Sequence, residues 1–118
     1  MGTFSVDIEV GDSQGNRYEI VRALVDTGAT YTTLPTGLLR RLDVGPTGTR
    51  AFVMADERRV HIDVGITWLR FEGEAYPNLV VFGPDDAQPL LGAVTLETFG
   101  LAVDPVSQRL IHVDALMK

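Results

Sequence analysis

The chain has 118 residues, 45% of them hydrophobic, which is the size of one ordinary domain with enough apolar side chains to build a core. It contains no cysteine, which excludes disulfides and thiolate metal sites. The formal net charge of −6 argues against a nucleic-acid partner, and no apolar run approaches the roughly 20 residues of a membrane span. We therefore expect one soluble domain over residues 1–118 that contacts neither nucleic acid nor membrane and, lacking a signal peptide, is most simply cytoplasmic.

Short segments rich in β-branched residues, often alternating between apolar and polar, predict a succession of strands. Residues 4–10 alternate cleanly, a turn-forming run at 11–16 reverses the chain, and Tyr18–Val25 is expected to be the returning strand. Further strands are predicted at residues 50–54, 60–64, 68–71, 79–82, 101–104 and 109–113.

Two segments have a helical pattern. Residues 36–42 follow Pro35 and carry three leucines, and residues 93–99 end at Gly100, where a left-handed cap is expected. The chain has no repeat, linker or low-complexity tract. It is therefore predicted to fold as one compact all-β domain with two short helices.

One segment carries residues suited to chemistry. The apolar residues 23–25 run directly into Asp26, and Thr27 and Gly28 follow. A carboxylate at the end of a buried strand is costly to ionise unless donors or a partner satisfy it. Because Gly28 has no side chain, its amide can approach and donate to that carboxylate, and Thr27 offers a hydroxyl for neighbouring backbone. Asp26 could then act as a general base on water if a second carboxylate shares the proton.

These residues also fit other interpretations. An Asp-Thr-Gly sequence can be a plain strand-ending turn, and subtilisin-type serine proteases also place an aspartate before such a pair. Those enzymes need a histidine and a glycine-flanked serine. His61 and His112 lack that company, which excludes the subtilisin-type serine proteases. We expect His61 to face solvent, His112 to be a satisfied sheet residue, and Asp85 and Asp86 to form an exposed turn.

A second segment, Pro89-Leu90-Leu91-Gly92, comes directly before the predicted helix at 93–99. With Leu24-Val25-Asp26-Thr27-Gly28-Ala29, it resembles the signatures of the retropepsin-like (retroviral-type, clan AA) aspartic proteases, in particular their single-domain bacterial and cellular members. The resemblance covers residues 4–111. It implies a closed, β-barrel-like acid-protease subunit that acts as a homodimer, with the second segment threading the loop of the first and its glycine letting the strand pass close.

The resemblance also implies roles for the residues of the motif. Asp26 would be the catalytic aspartate, one from each subunit, and would activate water to hydrolyse a peptide bond. Thr27 would interlock with its counterpart across the dimer axis, and Gly28 would complete the catalytic turn. Ala29 and Thr30 would contact a peptide or protein substrate. No cofactor and no metal is implied.

A hairpin over residues 50–66, with its tip near Asp56, would be the flap that closes over a bound peptide. Met54, Ala55 and Asp56 would then contact substrate. This tip contains no glycine, unlike the glycine-rich tip of the retroviral enzymes. Ala93 stands where those enzymes commonly carry an arginine, and Thr30-Tyr31 stands where they often carry two acidic residues, so we expect different substrate contacts.

The number of aspartate motifs decides the expected assembly. Asp26 lies in the only Asp-(Thr/Ser)-Gly sequence of the chain, because Asp43 and Asp63 are followed by Val-Gly. A twofold axis would supply the second carboxylate, and we expect the C-terminal hairpin at 101–113 to be the main intersubunit sheet. The alternative function is a non-proteolytic peptide-binding or dimerisation module with the same fold.

Overall fold

The computed structural model describes residues 3–117 and contains, over that range, nine strands and two helices of six residues each. In chain order they are β1 (Ser5–Gly11), β2 (Tyr18–Val25), β3 (Thr32–Pro35), α1 (Thr36–Arg41), β4 (Gly48–Val53), β5 (Arg59–Phe71), β6 (Glu74–Gly83), β7 (Leu90–Leu91), α2 (Ala93–Thr98), β8 (Leu101–Asp104) and β9 (Arg109–His112). The predicted all-β class with two short helices is confirmed. The predicted domain bounds include residues 1, 2 and 118, which lie outside the described residues.

Six of these strands form a closed barrel. The hydrogen-bonded order is β1-β2-β7-β3-β6-β5, and β5 returns to β1 through the antiparallel pairs Glu9–Arg70 and Val10–Leu69. The seam carries an ion pair, in which Nε and Nη2 of Arg70 donate to the Glu9 carboxylate at 2.8 and 2.6 Å. The Arg70 guanidinium also lies 3.9 Å from the centre of the Tyr18 ring. The hydrogen bonds from Arg70 hold the pKa of Glu9 below its ordinary value.

Strand β5 differs from its prediction. It is one strand of 13 residues, whereas the sequence pattern predicted two strands on either side of Gly65. Gly65 is buried, and a Cβ there would lie 2.9 Å from the carbonyl oxygen of Gly45. The glycine therefore permits a close approach of two backbones within a continuous strand instead of a turn.

The two halves of β5 have different partners. Residues from Val64 to Phe71 pair with β6 in the barrel, whereas residues from Arg59 to Val64 pair with β4. A two-stranded ribbon therefore projects from the barrel wall. We call it the flap hairpin (residues 48–64); it begins and ends two residues earlier than the hairpin predicted at 50–66.

The core fills the barrel and the space beneath the helices. Val10, Leu34, Leu39 and Val80, from β1, β3, α1 and β6, are fully buried. The first turn of α1 is fixed by a distant loop, since Asp85 accepts a hydrogen bond of 2.6 Å from the amide of Gly37. Asp85 and Asp86 lie in an exposed turn, as predicted.

The last two strands stand apart from the barrel sheet. β8 and β9 pair only with each other within residues 3–117 and form a C-terminal hairpin (residues 101–112). Gly100 enters it in the left-handed conformation predicted for a helix cap, with φ of 67°. The amide of Val113 donates back to the Gly100 carbonyl at 2.9 Å. Both helices found within residues 3–117 have only six residues, too few to cross a membrane.

Candidate active site

The Asp26 loop (residues 26–31) joins β2 to β3 and is threaded by a strand from the other end of the chain. β2 and β3 do not pair with each other; β7 lies between them, parallel to β2 and antiparallel to β3. The amide of Asp26 donates to the carbonyl of Leu91 at 3.0 Å, and the amide of Ala29 donates to the carbonyl of Asp26 at 3.1 Å. The loop is therefore a tight turn fixed to β7 at its first residue.

Gly92 follows β7 at the point of closest approach. A Cβ there would lie 2.6 Å from the carbonyl oxygen of Tyr31 and 2.9 Å from the amide nitrogen of Thr32, distances that real Cβ atoms do not adopt. The amide of Gly92 donates to the hydroxyl of Thr32 at 3.1 Å, and this buried hydroxyl lies 2.6 Å from that of Thr95. The threading inferred from the motif is confirmed, whereas the two threonine hydroxyls that secure it were not predicted.

Helix α2 holds the far side of the loop. Its first two amides, of Ala93 and Val94, donate to the carbonyls of Ala29 and Thr30 at 2.8 and 2.9 Å. The first amides of a helix have no partner within the helix, and no side chain caps this one. The Asp26 loop supplies the missing acceptors, so both of its ends are fixed by backbone hydrogen bonds.

The carboxylate of Asp26 is partly buried and turned onto its own loop. Oδ1 accepts a hydrogen bond of 3.0 Å from the amide of Gly28, as predicted from the sequence. Thr27 is exposed at the apex of the loop. The sequence therefore builds a carboxylate that is held by a backbone donor and remains accessible.

Asp26 opens onto a cleft of about 370 Å³. One side of the cleft is the loop itself, with Thr27 and Gly28; the N-terminal residues Thr3 and Phe4 and the C-terminal hairpin form the rest. The residues of that hairpin that line it are Val103, Pro105 and Gln108. The hairpin predicted to lie at an interface therefore also borders the candidate catalytic carboxylate.

The tip of the flap hairpin closes without glycine. The amide of Met54 donates to the carbonyl of Arg58 at 2.8 Å, which leaves a three-residue loop, Ala55-Asp56-Glu57. Such loops place their last residue in the left-handed region, and here Glu57 has φ of 67° where glycine is usual. The Asp56 carboxylate accepts a hydrogen bond of 3.1 Å from the Arg58 amide.

The tip residues predicted to contact substrate are at the surface. Met54, Ala55 and Asp56 are all exposed, and within residues 3–117 no hydrogen bond joins them to the Asp26 loop. Asp26, Thr27, Gly28, Ala29 and Thr30 thus share one loop, to which the flap tip makes no hydrogen bond within residues 3–117.

Strand β4 of the flap hairpin does contact the Asp26 loop. Tyr31, the last residue of the loop, accepts a hydrogen bond from the Arg50 guanidinium, which lies 5.2 Å from the centre of its ring. Phe52 meets the same ring edge to face, with 6.5 Å between ring centres. Arg50 and Phe52 are two residues apart on β4, so this side of the hairpin is the one that faces the loop. Sequence reasoning missed both; the only signal was Tyr31 at a position that is often acidic in the retroviral enzymes.

The two histidines take no part in this site. His61, paired with Ala51, is exposed on the flap hairpin, as predicted. His112 lies in β9, as expected, but it is exposed and its Nε2 lies 3.5 Å from Glu72. Among residues 3–117, no three or more His, Cys, Asp or Glu side chains are grouped so that they could hold a metal ion.

Comparison with known proteins identifies the fold. No model of a protein family matches the chain, and no curated protein sequence matches it significantly. Among solved structures it is similar to the simian foamy virus (mac) protease, with a TM-score of 0.58 and 22% identity, over 80% of this chain and 93% of that one. It is also similar to the EIAV protease in complex with the inhibitor HBY-793, with a TM-score of 0.61 and 18% identity, over 84% and 89% of the two chains. The chain therefore has a retropepsin-like fold.

Proposed function

We propose that this chain is one subunit of an aspartic endopeptidase. Two Asp26 carboxylates, one from each subunit of a homodimer, would hold a water molecule between them and use it to hydrolyse a peptide bond. The observation that carries the proposal is the Asp26 loop: a carboxylate held by the Gly28 amide at 3.0 Å, open to a cleft, in a backbone fixed by β7 and α2. The retropepsin-like fold supports it.

The chemistry requires two carboxylates in different protonation states. One takes a proton from water as the water attacks the scissile carbonyl, while the other, protonated, donates a hydrogen bond to the carbonyl oxygen. Repulsion between two close carboxylates keeps one proton between them, so that the pair titrates as a unit. The aspartic-protease dyad is the standard illustration of this effect.

A second copy of the chain would supply the other carboxylate. The sequence has one Asp-(Thr/Ser)-Gly motif, and a twofold axis beside Thr27 would bring two loops together. The exposure of Thr27 at the loop apex is consistent with such a contact. A peptide substrate would lie between the Asp26 loop and the flap hairpin, whose loop-facing side carries Arg50 and Phe52.

The decisive experiment compares the wild type with Asp26→Asn. The amide keeps the shape of the carboxylate and cannot share a proton with its counterpart, so hydrolysis of a peptide library should be abolished while sedimentation still detects a folded dimer. A pepstatin-type inhibitor should block the wild type. Undiminished hydrolysis by Asp26→Asn would contradict the proposal.

One outcome would favour the alternative function. If the wild type and Asp26→Asn bind peptides with equal affinity and neither cleaves them, the chain is a peptide-binding module. The flap tip is the feature that keeps this alternative open, because Glu57 occupies the left-handed position that glycine usually takes.

A further inference from the structure

Arg50 differs from most arginines of this protein in its partner. Within residues 3–117, ion pairs to carboxylates occupy Arg17, Arg22, Arg41, Arg58, Arg70 and Arg109. Arg50 has none within the same range, in a chain with 16 acidic residues. Its guanidinium is instead held by a neutral group, the Tyr31 hydroxyl.

The hydrogen bond between Arg50 and Tyr31 leaves other donors of both side chains free and close to one another. A guanidinium has five N–H groups, and the Tyr31 hydroxyl occupies one of them. That hydroxyl accepts the hydrogen bond with a lone pair, so its own proton can still donate elsewhere. Arg50 and Tyr31 therefore present N–H and O–H donors side by side. The guanidinium carbon also lies 5.2 Å from the centre of the Tyr31 ring, a second contact that keeps Arg50 beside Tyr31.

The position of this pair makes it accessible to a peptide. Tyr31 ends the loop that begins at Asp26, and Arg50 lies on the side of the flap hairpin that faces this loop. A peptide held between loop and hairpin would pass the pair a few residues from its scissile bond. Phe52, packed against the same ring, gives the position an apolar wall suited to a methylene stem.

We infer that Arg50 and Tyr31 form a subsite for a side-chain carboxylate, so that this protein selects peptides with glutamate or aspartate near the scissile bond. The inference rests on the proposed peptidase function and deepens it. A carboxylate accepts two parallel hydrogen bonds and matches the guanidinium fork. A lysine side chain would be repelled there, and an apolar one would bury the cation without a counter-charge.

The experiment measures kcat/KM for peptides that differ at one position. Positional scanning with acetylated, amidated peptides compares glutamate, glutamine and lysine at each position, so that the varied side chain is the carboxylate under test. The wild type should prefer glutamate over glutamine at one position by about tenfold or more, as expected for a charge-assisted hydrogen bond. Arg50→Met should reduce that ratio to about one, and Arg50→Glu should invert it in favour of lysine.

Arg59 provides the matched control. It is exposed on the same hairpin and pairs with Val53. This pair lies on the face of the hairpin opposite to that of Arg50 and Phe52. Arg59→Met makes the same change of charge and should leave the glutamate preference intact. Equal loss in Arg59→Met and Arg50→Met, or no preference at any position in the wild type, would overturn the subsite.

Two further arms separate this inference from related outcomes. A glutamine peptide with a free C-terminus tests whether the site reads a chain terminus; a preference of the same size for it would overturn the side-chain assignment. If the wild type cleaves nothing, binding is measured instead. Fluorescence anisotropy compares the affinities of the Asp26→Asn protein for the glutamate and glutamine peptides. A glutamate preference in binding that Arg50→Met removes would support the subsite without the peptidase, and equal affinities would overturn it.

Discussion

Gly92 passes so close to Tyr31 that a Cβ on Gly92 would lie 2.6 Å from the Tyr31 carbonyl oxygen. The neighbour is backbone, which cannot rotate away as a side chain can. The identity of residue 92 therefore governs whether β7 can thread the Asp26 loop.

The first prediction is that Gly92→Ala disrupts the site. The added methyl must displace the backbone at Tyr31 and Thr32, so we expect a loss of stability toward the upper end of about 1–3 kcal/mol and loss of peptide hydrolysis. Gly45→Ala is the control, because a Cβ there meets nothing within 4 Å. Thermal denaturation, monitored by circular dichroism, gives the midpoint of each variant. Equal midpoints for Gly92→Ala and Gly45→Ala would contradict the threading geometry.

The second prediction concerns the pH dependence of activity. Both limbs of a bell-shaped profile should come from the Asp26 pair and not from a histidine. Ala29 lacks the hydroxyl that pepsin-like enzymes carry after Asp-Thr-Gly, so one donor that would favour the ionised pair is missing. We expect an optimum less acidic than that of pepsin.

Ala29→Ser restores that donor and should shift the acid limb of kcat/KM to lower pH. The profile is measured with one peptide across both variants. A wild-type optimum as acidic as about pH 2, close to the lower of the two pKa values of the pepsin dyad, would contradict the prediction.

The third prediction concerns stability in acid. Hydrogen bonds from Arg70 lower the pKa of Glu9 in the folded state below its ordinary value of 4.5. The unfolded state therefore binds this proton first as pH falls, so the stabilisation is complete above pH 4.5 and is lost as pH falls through the folded-state pKa.

Glu9→Gln should therefore melt below the wild type at pH 7, and the difference should shrink as the pH is lowered through the acid range. Melting temperatures across that range measure it. Glu97→Gln, an exposed substitution on α2, is the control for a lost carboxylate. A gap between Glu9→Gln and wild type that stays constant with pH would show that the ion pair is not its cause.

The sequence predicted those features that short motifs encode and missed those that depend on tertiary contacts. Asp26, its Gly28 donor and the close passage at Gly92 all follow from local residue types in a fixed order. Strand β3 escaped prediction because a four-residue strand carries no clear periodicity, and it even ends in Pro35; the two-residue strand β7 was expected only from the family resemblance.

The long-range contacts of the site had no sequence signal of their own. The hydrogen bond between Thr32 and Thr95 spans 63 positions, and that between Arg50 and Tyr31 joins the flap hairpin to a loop 19 positions earlier in the chain. The continuity of β5 through Gly65 depends on packing against Gly45, which no local pattern reveals. These contacts are set by topology, and single-segment patterns do not encode it.

The fourth prediction concerns the dimer interface. Large apolar side chains are exposed on and after the C-terminal hairpin, with Val106 92%, Leu116 83% and Met117 96% accessible. Among residues 3–117 no other strand pairs with the edges of this hairpin, which a second copy could cover. We expect deletion of residues 106–118 to give inactive monomers, whereas removal of residues 1–3 should have little effect; residues 1 and 2 lie outside the described residues.

Point substitutions separate dimerisation from folding, because Leu110 of the deleted segment also packs on the core. The double variant Val106→Asp and Leu116→Asp changes only exposed side chains and should still give folded, inactive monomers in sedimentation and circular dichroism. Ile20→Asp, on an exposed position of β2, is the control and should remain dimeric. A double variant that stays dimeric and active would place the interface elsewhere.

The threading of β7 also limits when the Asp26 loop can reach its final conformation during synthesis. The Asp26 loop emerges from the ribosome early, but its fixing partners at Leu91, Gly92 and Thr95 are among the last third of the chain to be made. Contacts of such long sequence separation form late and slowly. A nascent or prematurely terminated chain that stops before residue 91 therefore carries the aspartate without the scaffold that orients it. An incomplete chain therefore lacks, by topology alone, the backbone contacts that hold the Asp26 loop in place.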